Sequence, residues 1–243
     1  MSLAPGRLKA QGQATDSKQL AAVAFHGAAN MAILAAVAMT SKLLGARGVA
    51  QAQSLDIDAG RIPPGQYLTS RFPVLTYGPN PDFDLGEWSL RIWGEVQTPL
   101  SLSWDQLMAM EQVECHCDIH CVTRWSKLDT SWIGVRVRDV LALAGPTPTG
   151  KFVMAHCDGD YTTNLPIEAL LDDDVIFAHT YDAKPLEPDH GAPLRLLVPK
   201  RYLWKSAKFL RGLEVMSEDR QGFWELNGYH NDADPWTEQR TWF

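Results

Sequence analysis

The sequence has little positive charge to spare: 22 lysines and arginines stand against 29 aspartates and glutamates, for a net charge of -7 at pH 7. No global basic field remains to attract a polyanion, so nucleic acid is not expected as a partner. Cysteine is also scarce, and the four present, Cys115, Cys117, Cys121 and Cys157, are crowded instead of widely spaced. That excludes the disulfide framework of a small secreted domain and fits reduced thiols in the cytosol. The chain carries no Gly-rich dinucleotide fingerprint, no haem-attachment motif, no Arg-Arg pair and no internal repeat. Electrons for any redox chemistry are therefore expected from an external protein carrying a haem or another redox group.

The first fifty or so residues are Ala-rich and lack tryptophan. Their apolar stretch, Leu20 to Met39, is interrupted by His26, Gly27 and Asn30. Three readings are open. Residues 1–54 are a poorly ordered or surface-helical extension; or a poor membrane anchor, since about 20 apolar residues span a bilayer and polar groups there are costly; or a signal, with Arg7, Lys9 and Lys18 ahead and Ala50-Gln51-Ala52 as a small-residue cleavage site. A cytoplasmic location is expected, with export or anchoring through residues 1–54 as the alternative. The 243-residue chain is 45% hydrophobic, sufficient for residues 55–243 to form one large domain.

From Leu55 onward the patterning is mixed. Ile62-Pro-Pro-Gly65 is a rigid extended lead-in. Residues 88–94 and 99–104 alternate apolar and polar and predict half-buried strands, with a short helix over 105–110 capped by Ser103. Val113 to Cys121 predicts a strand with Cys115, Cys117, Ile119 and Cys121 on one face and Cys121 at its end. A strand leads into a helix over 137–143 stopped by Gly145-Pro146. Further strands are expected at 151–157, 175–179, 193–198 and, more weakly, 209–216, and a helix at 165–171. The inventory is α+β: strand-rich mixed sheets with short helices.

The segment Glu114 to Ser126 holds three of the four cysteines and two of the seven histidines. Thiolate and imidazole suit a transition metal far better than magnesium or calcium. Cys115 and Cys117 read as small buried residues. Cys121 differs, because Arg124 and Lys127 follow it at a strand terminus and favour thiolate. Two alternatives stay open: a thiol hydrolase or oxidoreductase using Cys121 with His120 or His156, and a zinc-stabilised binding module. Downstream, His190-Gly-Ala-Pro-Leu-Arg195 is followed by Pro199 to Lys208, with five cations in the fourteen residues from Arg195 and with Tyr202, Trp204 and Ser206 interleaved. Such a mixture either makes a solvated basic edge or lines a pocket for an anionic group such as phosphate.

Together these segments resemble the sulfite oxidase family of mononuclear molybdenum enzymes, in particular its short, single-domain bacterial members. The resemblance runs from Pro63 to Phe243. Its motifs are Arg71-Phe-Pro-Val74, His120-Cys-Val-Thr-Arg-Trp-Ser126, His190-Gly-Ala-Pro-Leu-Arg-Leu-Leu-Val-Pro199 and Tyr202-Leu-Trp-Lys-Ser-Ala-Lys208. It implies a sulfite-oxidase-type fold, a molybdenum–molybdopterin cofactor and Cys121 as the one protein ligand to the metal. It also implies cofactor binding by Arg71, Phe72, Cys157, His190, Arg195, Ser206, Ala207 and Lys208. The implied activity is oxygen-atom transfer to or from a small sulfur oxyanion or sulfoxide-type substrate, with Arg124 orienting its oxygen. Val122-Thr123-Arg124 departs from the arginine arrangement that follows the ligand cysteine in animal and plant sulfite oxidases, and their additional domains find no counterpart in the sequence.

Overall fold

A computed structural model describes residues 47–48, 50–52 and 55–242. The apolar stretch 20–39, and with it the signal and anchor readings, lies outside them. Among the described residues no helix is long and apolar enough to cross a membrane. In chain order the strands are β1 (Tyr67–Leu68), β2 (Ser89–Gly94), β3 (Leu100–Ser103), β4 (Val113–His120), β5 (Trp125–Arg136), β6 (Phe152–Cys157), β7 (Thr162–Pro166), β8 (Ile176–Tyr181), β9 (Lys184–Pro185), β10 (Arg195–Leu197) and β11 (Leu210–Met216). The α-helices are α1 (Trp104–Met108), α2 (Val137–Ala144) and α3 (Phe223–Leu226).

The strands form two sheets. In the first, β4 pairs along the long strand β5, while β1 and β8 share the opposite edge of β5 and lead on to β10 and β9. The second has the order β3-β2-β11-β6-β7, with β2 and β11 parallel and the other pairs antiparallel. Alternation along β8 divides its side chains between two apolar clusters. Phe177 joins Leu90, Ile92, Val153, Leu213 and Val215 from the second sheet, with Val140 and Leu141 of α2, in the main core. Ile176 and Ala178 face the other way, onto Cys115, Ile119, Cys121, Trp125 and Trp132. Both sheets therefore share the main core, while the cysteine-bearing hairpin β4–β5 builds a second one.

Local chemistry explains most boundaries. Ser103 accepts from the Gln106 backbone N–H while the Gln106 side chain accepts from the Ser103 N–H, a reciprocal cap that starts α1. Helix α2 ends where Gly145 adopts a left-handed φ of 63°. Two expectations need correction. Residues 165–171 are not one helix: Leu165 and Pro166 end β7, which begins at Thr162 and Thr163, and only Ile167–Leu170 turn, as a 3-10 helix. β-branched threonines favour the sheet, and Pro166, without an N–H, closes its edge strand. The strand expected over 193–198 shrinks to Arg195–Leu197, between Pro193 and Pro199, neither of which can donate to a ladder. Conversely, the weakly patterned 209–216 becomes the centre of the second sheet, β11.

β5 passes β8 so closely at Gly134 that a Cβ there would lie 2.1 Å from the Phe177 carbonyl oxygen. Backbone cannot yield as a side-chain tip can. Gly134→Ala is expected to lower stability by about 1–3 kcal/mol or more, read as a lowered urea midpoint with an unchanged denaturant slope.

Candidate active site

Cys121 follows β4 directly and opens a three-residue loop into β5. Its N–H donates to Trp125 O (2.9 Å), and the Arg124 N–H donates to Cys121 O (2.9 Å). Arg124 closes the loop at φ 78°, a position that glycine usually takes in such hairpins. Three distant segments grip this loop. Gln66 Nε2 donates to Cys121 O at 3.1 Å, Arg240 Nη1 donates to Val122 O at 2.7 Å, and the Leu203 N–H donates to His120 O at 2.9 Å. The Cys121 thiol is buried, 5% exposed, and sits 3.1 Å from Thr123 Oγ1. Burial pushes its pKa up.

The basic strip converges on the same place. Arg195 opens β10 at 3% exposure, with Nη1 donating to His190 O (3.0 Å) and Nη2 to Ser206 O (2.8 Å). Its Nε is buried without a partner among the described residues. Burial pulls its pKa down to about 10. His190 stacks on Phe72, with ring centroids 4.0 Å apart and planes 9° from parallel. Gly191, at φ 109°, lies so close to Lys208 that a Cβ would meet the Lys208 Cβ at 2.9 Å. That close approach seats Lys208 beside Asp189, whose backbone oxygen accepts from Nζ at 2.9 Å, and beside the Thr76 hydroxyl. Burial, then the neighbouring Arg195 charge, brings Lys208 down to about 8. Ser206 Oγ accepts from the Val198 N–H at 2.9 Å, leaving its own hydrogen for a second partner.

One cavity of about 320 Å³ is lined by Cys121, Phe72, His190, Arg195, Ser206, Ala207 and Lys208. Seven of the ten residues singled out from sequence thus share a wall. Arg71, Cys157 and Arg124 do not line it. Arg71 is exposed, one position before Phe72. Cys157 packs against the main core, and the following residue, Asp158, reaches the cavity. Arg124 is buried with Nη1 4.0 Å from Glu238 Oε1. The rest of the lining comes from residues the sequence patterns did not single out as site residues, notably Tyr161, Trp224, Tyr229 and the strap Pro73–Pro79. They lie in loops and turns or, for Trp224, in the one-turn helix α3, where no periodicity marks them.

The two other readings of the cysteines find no geometry to use. His120 Nδ1 is 2.8 Å from Ser126 Oγ, and burial pushes its imidazole down to about 4. His156 Nε2 pairs with Glu214 at 3.0 Å. The described contact of the Cys121 sulfur is with Thr123, not with an imidazole. Among the described residues no group of three or more His, Cys, Asp or Glu side chains could hold a metal, as a protein-only zinc site requires. All four cysteines are free thiols.

A guanidinium buried without a carboxylate partner among the described residues, an unused Nε and a lysine lowered by burial suit an anion site, because buried charge is costly unless paired. A soft thiol at the same cavity suits a metal already held by sulfur. The donor set therefore fits a phosphate-bearing molybdopterin.

Comparison with known proteins agrees. Residues 77–224 match the family described as the oxidoreductase molybdopterin binding domain. The uncharacterized oxidoreductase YuiH of Bacillus subtilis is 44% identical over 186 residues, covering 76% of this chain and 94% of YuiH. The protein-methionine-sulfoxide reductase catalytic subunit MsrP of Campylobacter jejuni is 28% identical over 161 residues, 59% of this chain and 54% of MsrP. In fold, the sulfane dehydrogenase SoxCD from Paracoccus pantotrophus aligns with a TM-score of 0.53 at 22% identity, over 57% of this chain and 40% of that one. With the sulfite-oxidase-type arrangement of its two sheets and a cavity suited to the cofactor, the chain belongs to the molybdopterin-binding oxidoreductase family, as an enzyme whose cofactor is molybdenum–molybdopterin.

Proposed function

We propose that the protein transfers an oxygen atom between a neutral, sulfoxide-type substrate and water, with Cys121 as the protein ligand to molybdenum. The observation that carries this reading is that the Cys121 sulfur shares one cavity with Arg195 and Lys208. His190, Arg195, Ser206 and Lys208 hold the cofactor's phosphate and pterin by charge and hydrogen bonding, and Phe72 backs the imidazole. The cofactor, when bound, supplies two-electron oxygen exchange; the protein supplies orientation and exclusion of water.

The preference for a neutral substrate follows from the lining. The cations at the cavity, Arg195 and Lys208, belong with His190 to the strip assigned to the cofactor. The rest of the lining is mostly aromatic and apolar, with Trp204, Trp224, Tyr229 and Tyr161, and its charged groups, Asp158 and Asp189, are acidic. The Tyr161 hydroxyl already donates to Trp204 O at 2.6 Å, and burial keeps it protonated by raising its pKa well above the usual value. Arg124, with Nη1 4.0 Å from Glu238 Oε1, is not among the lining residues. An apolar wall with few polar groups favours a sulfoxide over sulfite. The name of MsrP, a methionine-sulfoxide reductase, supports the same class. Electrons come from an external redox protein.

Two outcomes are expected. Protein from a molybdenum-competent host carries molybdenum and releases a fluorescent oxidised pterin, and turns over methionine sulfoxide in preference to sulfite. Cys121→Ser keeps its thermal midpoint, while molybdenum-dependent turnover falls by at least about 100-fold, beyond the roughly 10–100-fold typical of groups that only support a metal ligand. Undiminished turnover in that variant would remove the assignment.

Lys208 gives a pH signature. In the cofactor-free protein its ammonium is lost near pH 8, against an ordinary 10.5. Affinity for pyrophosphate, measured by calorimetry, is expected to fall roughly tenfold or more as pH rises through about 8, the loss of one charge-assisted bond. Lys208→Gln flattens that step. Stability moves oppositely: between pH 8 and 10.5 the unfolded chain binds more protons than the folded one, so the Lys208 contribution to stability rises with pH.

A further inference from the structure

Behind the aromatic wall of the cavity lies an ion pair that the proposed chemistry does not use. Lys205 and Glu225 are fully buried, at 0% and 2% exposure, with Nζ 2.6 Å from Oε1. Lys205 spends its other donors on the Asn164 backbone oxygen (2.6 Å) and Asn164 Oδ1 (3.1 Å). The same Glu225 Oε1 accepts from Thr163 Oγ1 at 2.9 Å and from the indole Nε1 of Trp204 at 2.9 Å. Asn164 and Thr163 belong to β7, Glu225 to α3, and Trp204 and Lys205 to the segment that continues into Ser206, Ala207 and Lys208. One carboxylate oxygen thus joins a sheet strand, a helix and the anion-binding strip.

The consequence for the cavity is directional. Trp204 and Trp224 both line it, and both flank members of the buried pair in sequence. Tyr229 bridges them, 5.0 Å from Trp204 edge-on and 4.9 Å from Trp224 in a stack. An indole ring has one donor, so the acceptor at Nε1 fixes which edge of Trp204 turns inward. Helix α3 is held just as firmly, since a Cβ at Gly222 would come within 2.5 Å of the Thr163 Cα. Burying a full charge pair to present one hydrogen-bond acceptor is costly in desolvation. A well-packed apolar pair would fill the same space, but it would leave the indole N–H without a fixed direction.

We propose that Glu225, locked by Lys205, is a positioning residue for substrate selectivity: by holding the Trp204 indole N–H it sets the aromatic wall against which a sulfoxide-type substrate lies. The selectivity part rests on the function proposed above. The positioning part concerns only this chain's own side chains.

Removing Glu225 alone would strand a buried ammonium and unfold the protein, so two double variants are compared. Lys205→Met with Glu225→Gln removes both charges and keeps an oxygen acceptor at 225. Lys205→Met with Glu225→Leu removes both charges and the acceptor. In 15N-indole spectra of cofactor-free protein, the Trp204 resonance is the one absent from Trp204→Phe. It should stay near its wild-type position in the Gln variant. In the Leu variant it should shift and exchange its proton at least about tenfold faster, as expected for a lost buried hydrogen bond. In loaded enzyme the Leu variant should raise KM for methionine sulfoxide by about tenfold, with kcat within about twofold and molybdenum content unchanged, and the Gln variant should restore KM. An unmoved Trp204 resonance in the Leu variant overturns the positioning role by itself. A moved resonance with equal KM in both variants overturns the selectivity role. Wild-type enzyme that loads molybdenum but leaves sulfoxides untouched overturns the substrate class, and the indole readout then still decides the positioning role.

Discussion

A guanidinium buried at Arg195 without a carboxylate beside it is the constraint around which the site is built. Its two terminal nitrogens are tied to carbonyl oxygens on either side of the cavity wall, at His190 and Ser206, which neutralise none of its charge. Those two ties fix the spacing between the turn before β10 and the strip after it. They also leave Nε without a hydrogen-bond partner among the described residues and a positive charge in the cavity wall. Gly191 and Lys208 pack together under the same constraint, and Phe72 covers the imidazole from the opposite side. The cationic wall is thus held by the protein's own backbone, in advance of any ligand, which is how a preorganised anion site lowers the ordering that binding would otherwise demand.

The thiol wall is rigid for a different reason. A non-glycine residue in the left-handed region costs on the order of 1–2 kcal/mol, and Arg124 adopts it to close the Cys121 loop. The surrounding hydrogen bonds from Gln66, Leu203 and Arg240 over-determine that conformation. The Arg240 guanidinium also lies 4.7 Å above the Tyr202 ring, so the loop rests on packing as well as on polar contacts. Loops tolerate variation, yet one fastened at three points behaves as part of the scaffold.

Much of this was legible in the chain, and the division has a physical cause. Strands with strict alternation, such as β2, β3 and β4, and helices with explicit start and stop chemistry, such as α1 and α2, follow from local rules. Cys121 could be placed at a strand end by counting along β4. His190, Arg195, Ser206, Ala207 and Lys208 came from motif resemblance, and the cavity unites them. What local rules could not give was partner choice. β11 looks weak in isolation because its neighbours, β2 and β6, supply the pairing that makes it central. Tyr161, Tyr229 and Trp224, the last on the one-turn helix α3, reach the cavity from short segments whose directions tertiary packing decides. Arg124 looked poised toward the thiolate by proximity in sequence, but the left-handed backbone at that residue accompanies a side chain near Glu238 instead.

The three clasps on the Cys121 loop lie 55, 83 and 118 positions from the residues they hold when counted along the chain: Gln66 from Cys121, Leu203 from His120, and Arg240 from Val122. Two of them belong to segments translated long after the thiol itself. During synthesis at about 5–20 residues per second, the hairpin can form while Leu203 and Arg240 have yet to leave the ribosome. A nascent chain therefore exposes the Cys121 sulfur before the protein can seat it, and the thiol wall becomes rigid only when the clasp from Arg240 arrives.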